Sequence, residues 1–182
     1  KNKRMKEIVL HNKKFGISIH ENEIDKAIQG IADKINIDFK DKNPLFLVIL
    51  NGAFMFASDL LKKVNINCEI SFVKLSSYVG TKSTHVVREL IGLDQALNDR
   101  YVIVVEDIID TGITMENTIH KLKQLQAVDV RIATLLFKPL SFSKEYTIDY
   151  IGMEIANDFI VGYGLDYDGL GRNLPDIYKI ME

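Results

Sequence analysis

The sequence predicts an α/β fold with a mainly parallel sheet flanked by helices, and three observations predict it. Continuous apolar runs of strand length alternate with stretches of helical apolar spacing. Several runs end in polar or glycine-containing segments, at the carboxyl ends of strands where ligands bind in such sheets. The chain has 182 residues, 47% hydrophobic and 26% charged, enough to bury one proper core without staples.

The elements follow in order. Residues 7–19 alternate loosely, as in a strand or an extended arm. Ile24, Ala27, Ile28, Ile31, Ala32 and Ile35 recur at helical spacing, which predicts an amphipathic helix over roughly residues 22–37. Asp41-Lys42-Asn43-Pro44 is a turn. Leu45–Leu50 is an unbroken apolar run, hence a strand covered on both faces; it stops at Asn51-Gly52, and a helical stretch continues to about Val64. Residues 67–75 and 84–91 read as strands, with the polar, glycine-containing loop Ser76–Ser83 between them. Tyr101–Val105 is a second buried strand, followed by a helix over about 114–126. Strands are expected at 130–137 and 150–155. Eleven glycines and three prolines form no linker, and no internal repeat is visible.

Bulk properties exclude several classes. A net charge of −2 and a pI near 6.1 argue against a nucleic-acid or membrane partner, since both need a basic face. The single cysteine, Cys68, rules out an internal disulfide and a cysteine zinc cluster, and reads as a small apolar residue. No apolar run approaches the roughly 18 residues of a membrane span. The start is basic without a signal-peptide apolar region, and Lys1 suggests a true start upstream. A soluble, cytoplasmic protein is expected.

The chemistry concentrates in Tyr101–Thr118, YVIVVEDIIDTGITMENT. Five apolar residues lead into two adjacent acids, Glu106 and Asp107, and then into Asp110-Thr111-Gly112-Ile113-Thr114. The latter opens a helix, where free backbone N–H groups and the positive end of the helix dipole suit an anion. Gly112 allows close backbone approach, and Thr111 and Thr114 add hydroxyls. Alone, the loop reads as an ordinary helix start capped by Asp110 or Thr111. The acids change this reading. They would repel a bare phosphate, but carboxylates bind sugar hydroxyls and magnesium well. A phosphate loop beside an acid pair points to a sugar phosphate such as ribose phosphate. A P-loop is excluded: Gly80-Thr81-Lys82-Ser83 has no glycine directly before Lys82, and position 76 is serine. No G-x-G-x-x-G occurs either.

VVEDIIDTGIT resembles the phosphoribosyl pyrophosphate (PRPP) signature of type I phosphoribosyltransferases. LNGAFMF at 50–56, SSYVGTKST at 76–84, LLFKP at 135–139 and NDFIVGYGLDYDGLGRNLP at 157–175 narrow the resemblance to hypoxanthine-guanine phosphoribosyltransferases. The motifs keep family order and spacing over nearly the whole chain. Singly, Lys138 would read as a snorkelling surface lysine, Phe159 as core and Arg172 as a surface ion pair; their ordered co-occurrence outweighs that.

The resemblance implies a single domain over 1–182. Its core would span about 40–150, with a small hood from about 1–20 and 150–182. It implies that Glu106 and Asp107 hold the ribose hydroxyls and help organise Mg2+, with Asp166 as a further metal ligand. Thr111, Gly112, Ile113 and Thr114 would cradle the ribose phosphate. Asp110 would be the general base at purine N7, Lys138 the donor to the 6-oxo group, Phe159 the stacking aromatic, and the Ile160 backbone the reader of the purine edge. Leu50, Asn51 and Gly52, where the family often has a non-proline cis peptide, and Arg172 would meet pyrophosphate. Ser76–Ser83, led by Ser77 and Tyr78, would close as a lid. Asn51 departs from the family pattern, which often has Lys or Arg there, and so brings no charge. The implied activity is purine salvage: transfer of phosphoribosyl from PRPP to N9 of hypoxanthine or guanine, giving IMP or GMP, by a homodimer or homotetramer. The alternatives are a PRPP-binding regulator on the same fold and a phosphoribosyltransferase for xanthine, orotate or uracil.

Overall fold

The computed structural model describes residues 6–78, 86–91 and 97–181, with backbone alone at 75–78 and 86–91. Thirteen elements are described in chain order. They begin with β1 (Glu7–Leu10), β2 (Lys13–Ile19), α1 (Glu21–Asp38), β3 (Leu45–Leu50), α2 (Phe54–Lys63) and β4 (Glu69–Tyr78). Next come β5 (Val86–Ile91), β6 (Tyr101–Ile109), α3 (Ile113–Gln124), β7 (Asp129–Phe137), β8 (Tyr150–Glu154), β9 (Ile160–Val161) and β10 (Ile177–Ile180).

The main sheet has the order β5-β4-β3-β6-β7-β8. Strands β4, β3, β6, β7 and β8 are parallel, and β5 lies antiparallel at the edge. The apolar runs are long because both faces are covered, and strand alternation deals their side chains to opposite sides. Phe46, Val48, Ile103 and Val105 face α1 and α2, while Leu45, Leu47, Val102 and Val104 face α3. Helix α1 buries Ile24, Ile28, Ile31 and Ile35, spaced by four and three residues, against the first side. Each such burial is worth roughly 1.5–3 kcal/mol. The Glu23 carboxylate accepts from the His20 backbone N–H at 3.0 Å and closes the start of α1.

A second sheet, β1-β2-β10-β9, is antiparallel throughout and joins the two ends of the described chain. Its own cluster is Ile8, Phe15, Val161 and Tyr178, while Ile177 reaches into the main core.

Three expectations are corrected. Residues 7–19 form a hairpin rather than one arm, turning at His11-Asn12, where His11 has φ of 51°. Strand β6 continues past Val105 to Ile109, because β7 stays in register beside it as far as Phe137. Glu106 and Asp107 therefore lie within the strand. Ser76, Ser77 and Tyr78 belong to β4, paired with β5, and not to a loop; residues 79–83 of the expected loop lie outside the described residues.

Candidate active site

Register builds the site. Ile109 of β6 pairs with Phe137 of β7, and the Lys138 backbone N–H donates to the Ile109 carbonyl at 3.0 Å. The residues that follow, Asp110 and Lys138, are thereby neighbours although 28 positions apart. The Lys138 Nζ donates to Asp110 Oδ2 at 3.1 Å. The lysine is buried at 9% exposure, while the Asp110 side chain is half open. A buried ammonium needs such a partner.

An open cavity of about 260 Å3 lies here, lined by Ile49 and by the run from Glu106 to Met115. Gly112 is the N-cap of α3 with φ of 81°, and no side chain among the described residues caps the helix. Neither Asp110 nor Thr111 occupies the first-turn N–H groups, which leaves them for an anion. Thr111 and Thr114 are exposed, Ile113 is half-buried and Gly112 is buried.

Glu106 and Asp107 enter the same cavity. Burial holds both carboxyls above their ordinary range, Glu106 well above it, with the Asp107 charge adding to the Glu106 shift. The Ile108 N–H donates to Asp107 Oδ1 at 2.8 Å, and the Arg172 charge pulls Asp107 back down.

The loop after β3 packs against Asp107. The Leu50–Asn51 peptide is cis, at the place where the family resemblance implied it. A Cβ on Gly52 would overlap Asp107 Oδ2, so a side chain here would force Asp107 to move. A Cβ on Gly164 would in turn overlap the Gly52 carbonyl. Arg172 Nη1 donates to the Gly164 carbonyl at 2.7 Å, and its Nη2 pairs with Asp166 Oδ1 at 2.6 Å. Asp166 Oδ2 accepts from the Gly169 N–H at 2.8 Å. A chain of close contacts thus runs from Asp107 through Gly52 and Gly164 to Arg172 and Asp166.

Among the described residues no group of three or more His, Cys, Asp or Glu side chains converges as a metal cage. The donors present still fit a hard cation: Glu106 and Asp107 offer carboxylate oxygens in one cavity. Magnesium is commonly held by one or two carboxylates together with substrate phosphates.

Phe159, 46% exposed, stands on the second sheet beside Phe15 and Tyr167, at ring-centroid distances of 6.2 and 5.7 Å. Its carbonyl accepts from Ile180 N–H at 3.0 Å, and the next residue, Ile160, opens β9. The side chains of Ser77 and Tyr78 lie outside the described residues. Sequence reading missed Tyr146, whose hydroxyl donates to the Gly112 carbonyl at 2.9 Å; nothing in its local pattern signals that contact.

The chain belongs to the phosphoribosyl transferase domain family, whose model matches residues 18–168. It is 38% identical over 175 residues to the hypoxanthine-guanine phosphoribosyltransferase of Streptococcus pneumoniae strain R6, covering 96% of this chain and 97% of that one. It is also 38% identical to the hypoxanthine-guanine-xanthine phosphoribosyltransferase of Tritrichomonas foetus, covering 90% of each. A crystal structure of a hypoxanthine phosphoribosyltransferase from Staphylococcus aureus superposes with a TM-score of 0.86 at 33% identity, covering 91% of this chain and 90% of that one. Some relatives are much longer. The chain spans 26% of the length of the bifunctional protein TilS/HprT of Listeria monocytogenes, with 38% identity over 92% of this chain.

Proposed function

We propose that this chain is a purine salvage enzyme, transferring phosphoribosyl from PRPP to N9 of hypoxanthine or guanine. The observation that carries this reading is the Lys138–Asp110 pair beside the phosphate-type loop. A 6-oxopurine protonated at N7 presents, side by side, an acceptor (O6) and a donor (N7–H). Lys138 supplies the donor and Asp110 the acceptor that match it. Adenine would set its 6-amino group against the Lys138 ammonium, leaving buried donors unpaired, which discriminates strongly.

The reaction forms the N9–C1′ bond and breaks the bond from C1′ to pyrophosphate oxygen. Asp110 takes the N7 proton, which raises electron density on the attacking ring. Backbone N–H groups of Thr111 to Thr114, at the entry to α3, hold the ribose phosphate, and Glu106 and Asp107 hold the ribose hydroxyls. Arg172 and the Leu50-Asn51-Gly52 backbone receive pyrophosphate, so the uncharged Asn51 leaves the main charge to Arg172. Bound Mg2+ would neutralise developing charge on the leaving group; Glu106, Asp107 and Asp166 are the residues to hold it. The Asp166–Arg172 pair ties that ligand to the pyrophosphate residue. Phe159, 46% exposed, would stack on the base, next to the Ile160 backbone. Ser77 and Tyr78 lead the segment that would exclude water and prevent PRPP hydrolysis.

The main sheet and the terminal sheet act together as one domain over 1–182, in a cytoplasmic homodimer or homotetramer. Among the described residues no helix is long and apolar enough to cross a membrane. The test is a spectrophotometric assay with PRPP, Mg2+ and each of hypoxanthine, guanine, xanthine and adenine. Turnover with hypoxanthine or guanine but not adenine is expected; inertness toward every 6-oxopurine would sink the reading.

A further inference from the structure

We propose that Tyr146 is a positioning residue for the phosphate cradle, holding the Gly112–Ile113 peptide so that the Ile113 N–H faces the bound phosphate. This rests on the PRPP reading above and adds a residue to it. In a trans peptide the C=O and N–H point in opposite directions. Whatever grips the Gly112 oxygen therefore aims the Ile113 N–H. Two donors grip it: the Tyr146 hydroxyl at 2.9 Å and the Glu116 N–H of the first helical turn at 3.0 Å.

Glu116 N–H comes with any helix, whereas Tyr146 is an addition from 34 residues away. The phenol is itself held in place. Phe137, Phe142 and Tyr146 stack edge to face, with centroids 5.3 and 5.2 Å apart. Lys144 Nζ pairs with Glu116 Oε2 at 2.7 Å, which ties the same segment to α3. The fit leaves no slack at Gly112: an added Cβ would lie 2.6 Å from Tyr146 Oη, 2.7 Å from Phe142 and 2.9 Å from Lys144. Burial, with the charges of Glu116 and Glu106 behind it, pushes the Tyr146 phenol well above its ordinary range. It remains a donor at any pH at which the enzyme is assayed.

A donor that is fixed before the ligand arrives spares the ligand the cost of ordering the loop. Tyr146→Phe keeps the aromatic stack and removes only the hydroxyl. The expected result is a KM for PRPP raised about fivefold, the worth of one neutral hydrogen bond, with kcat and the KM for hypoxanthine little changed. Ribose 5-phosphate binding by calorimetry should weaken by the same factor, and the melting temperature should fall by only about 2–4 °C, as for one lost hydrogen bond. Equal ribose 5-phosphate affinity in Tyr146→Phe and the parent would overturn the role of Tyr146 and leave the PRPP reading intact. A larger fall in melting temperature, with a fall in kcat and a rise in both KM values, would also overturn it, marking Tyr146 as structural only. A parent protein that binds neither ribose 5-phosphate nor PRPP would remove the PRPP reading, and this inference with it.

Discussion

Gly52→Ala is a sharp probe of the candidate site, because one methyl group meets Asp107, the acid proposed to bind the ribose hydroxyls. The added Cβ falls inside Asp107 Oδ2. The Asp107 carboxylate cannot swing away freely, since Oδ1 accepts from Ile108 N–H at 2.8 Å. Gly164 packs against the Gly52 carbonyl, so the loop cannot readily shift as a body. The strain is relieved by rotating Asp107 and losing a hydrogen bond to a charged acceptor, worth about 1.5–3 kcal/mol. Urea unfolding should show a loss of about 2 kcal/mol, within the range of that bond. PRPP binding by calorimetry should weaken at least about tenfold, roughly the equivalent of 1.4 kcal/mol. Gly52 is absent from the residues with positive φ, so the cost is one of space and not of backbone conformation. An alanine variant with parental stability and PRPP affinity would refute the reasoning.

Three further outcomes are expected. Asp110→Asn should lower turnover by on the order of 100-fold while PRPP binding persists; calorimetric loss of PRPP binding in a folded variant would make Asp110 a phosphate-loop residue instead. Lys138→Ala should raise the KM for hypoxanthine far more than that for PRPP, and equal losses would remove its role at the purine edge. The acid pair sets a pH dependence. Glu106 and Asp107 are held above their unfolded values, so the folded, empty protein keeps protons that the unfolded chain releases. Their stabilising contribution is complete below the unfolded pKa values and is lost as pH rises through the folded ones. On the proposed assignment Mg2+–PRPP binds the ionised acids, so its binding should release protons and tighten as pH rises through that range. Calorimetry in two buffers of different ionisation heat measures the release, and an absence of proton exchange in the parent counts against the assignment.

Legibility in the sequence followed how local each feature is. Leu45–Leu50 is apolar at every position because helices cover both faces, so the run marks the strand by itself. Helix α1 was readable from its isoleucines. Strands β9 and β10 were not: two and four residues carry too little pattern, and they exist because Phe15 and Tyr178 share one small cluster. The far end of β6 was hidden for a related reason. Acids at 106 and 107 interrupt the apolar run, while pairing with β7 continues through them.

The sequence by itself determined the parts of the site: an acid pair, a glycine-centred helix start, and the spaced lysine, aromatic and arginine. Those are properties of residue type and spacing, which short-range physics constrains. Tertiary structure alone decided which of them meet. Strand register set Asp110 against Lys138, and two side-chain-free glycines let the Arg172 loop close on Asp107. Tyr146 reached Gly112 from 34 residues away. Such contacts arise from how separate elements pack together, and no local spacing along the chain encodes them.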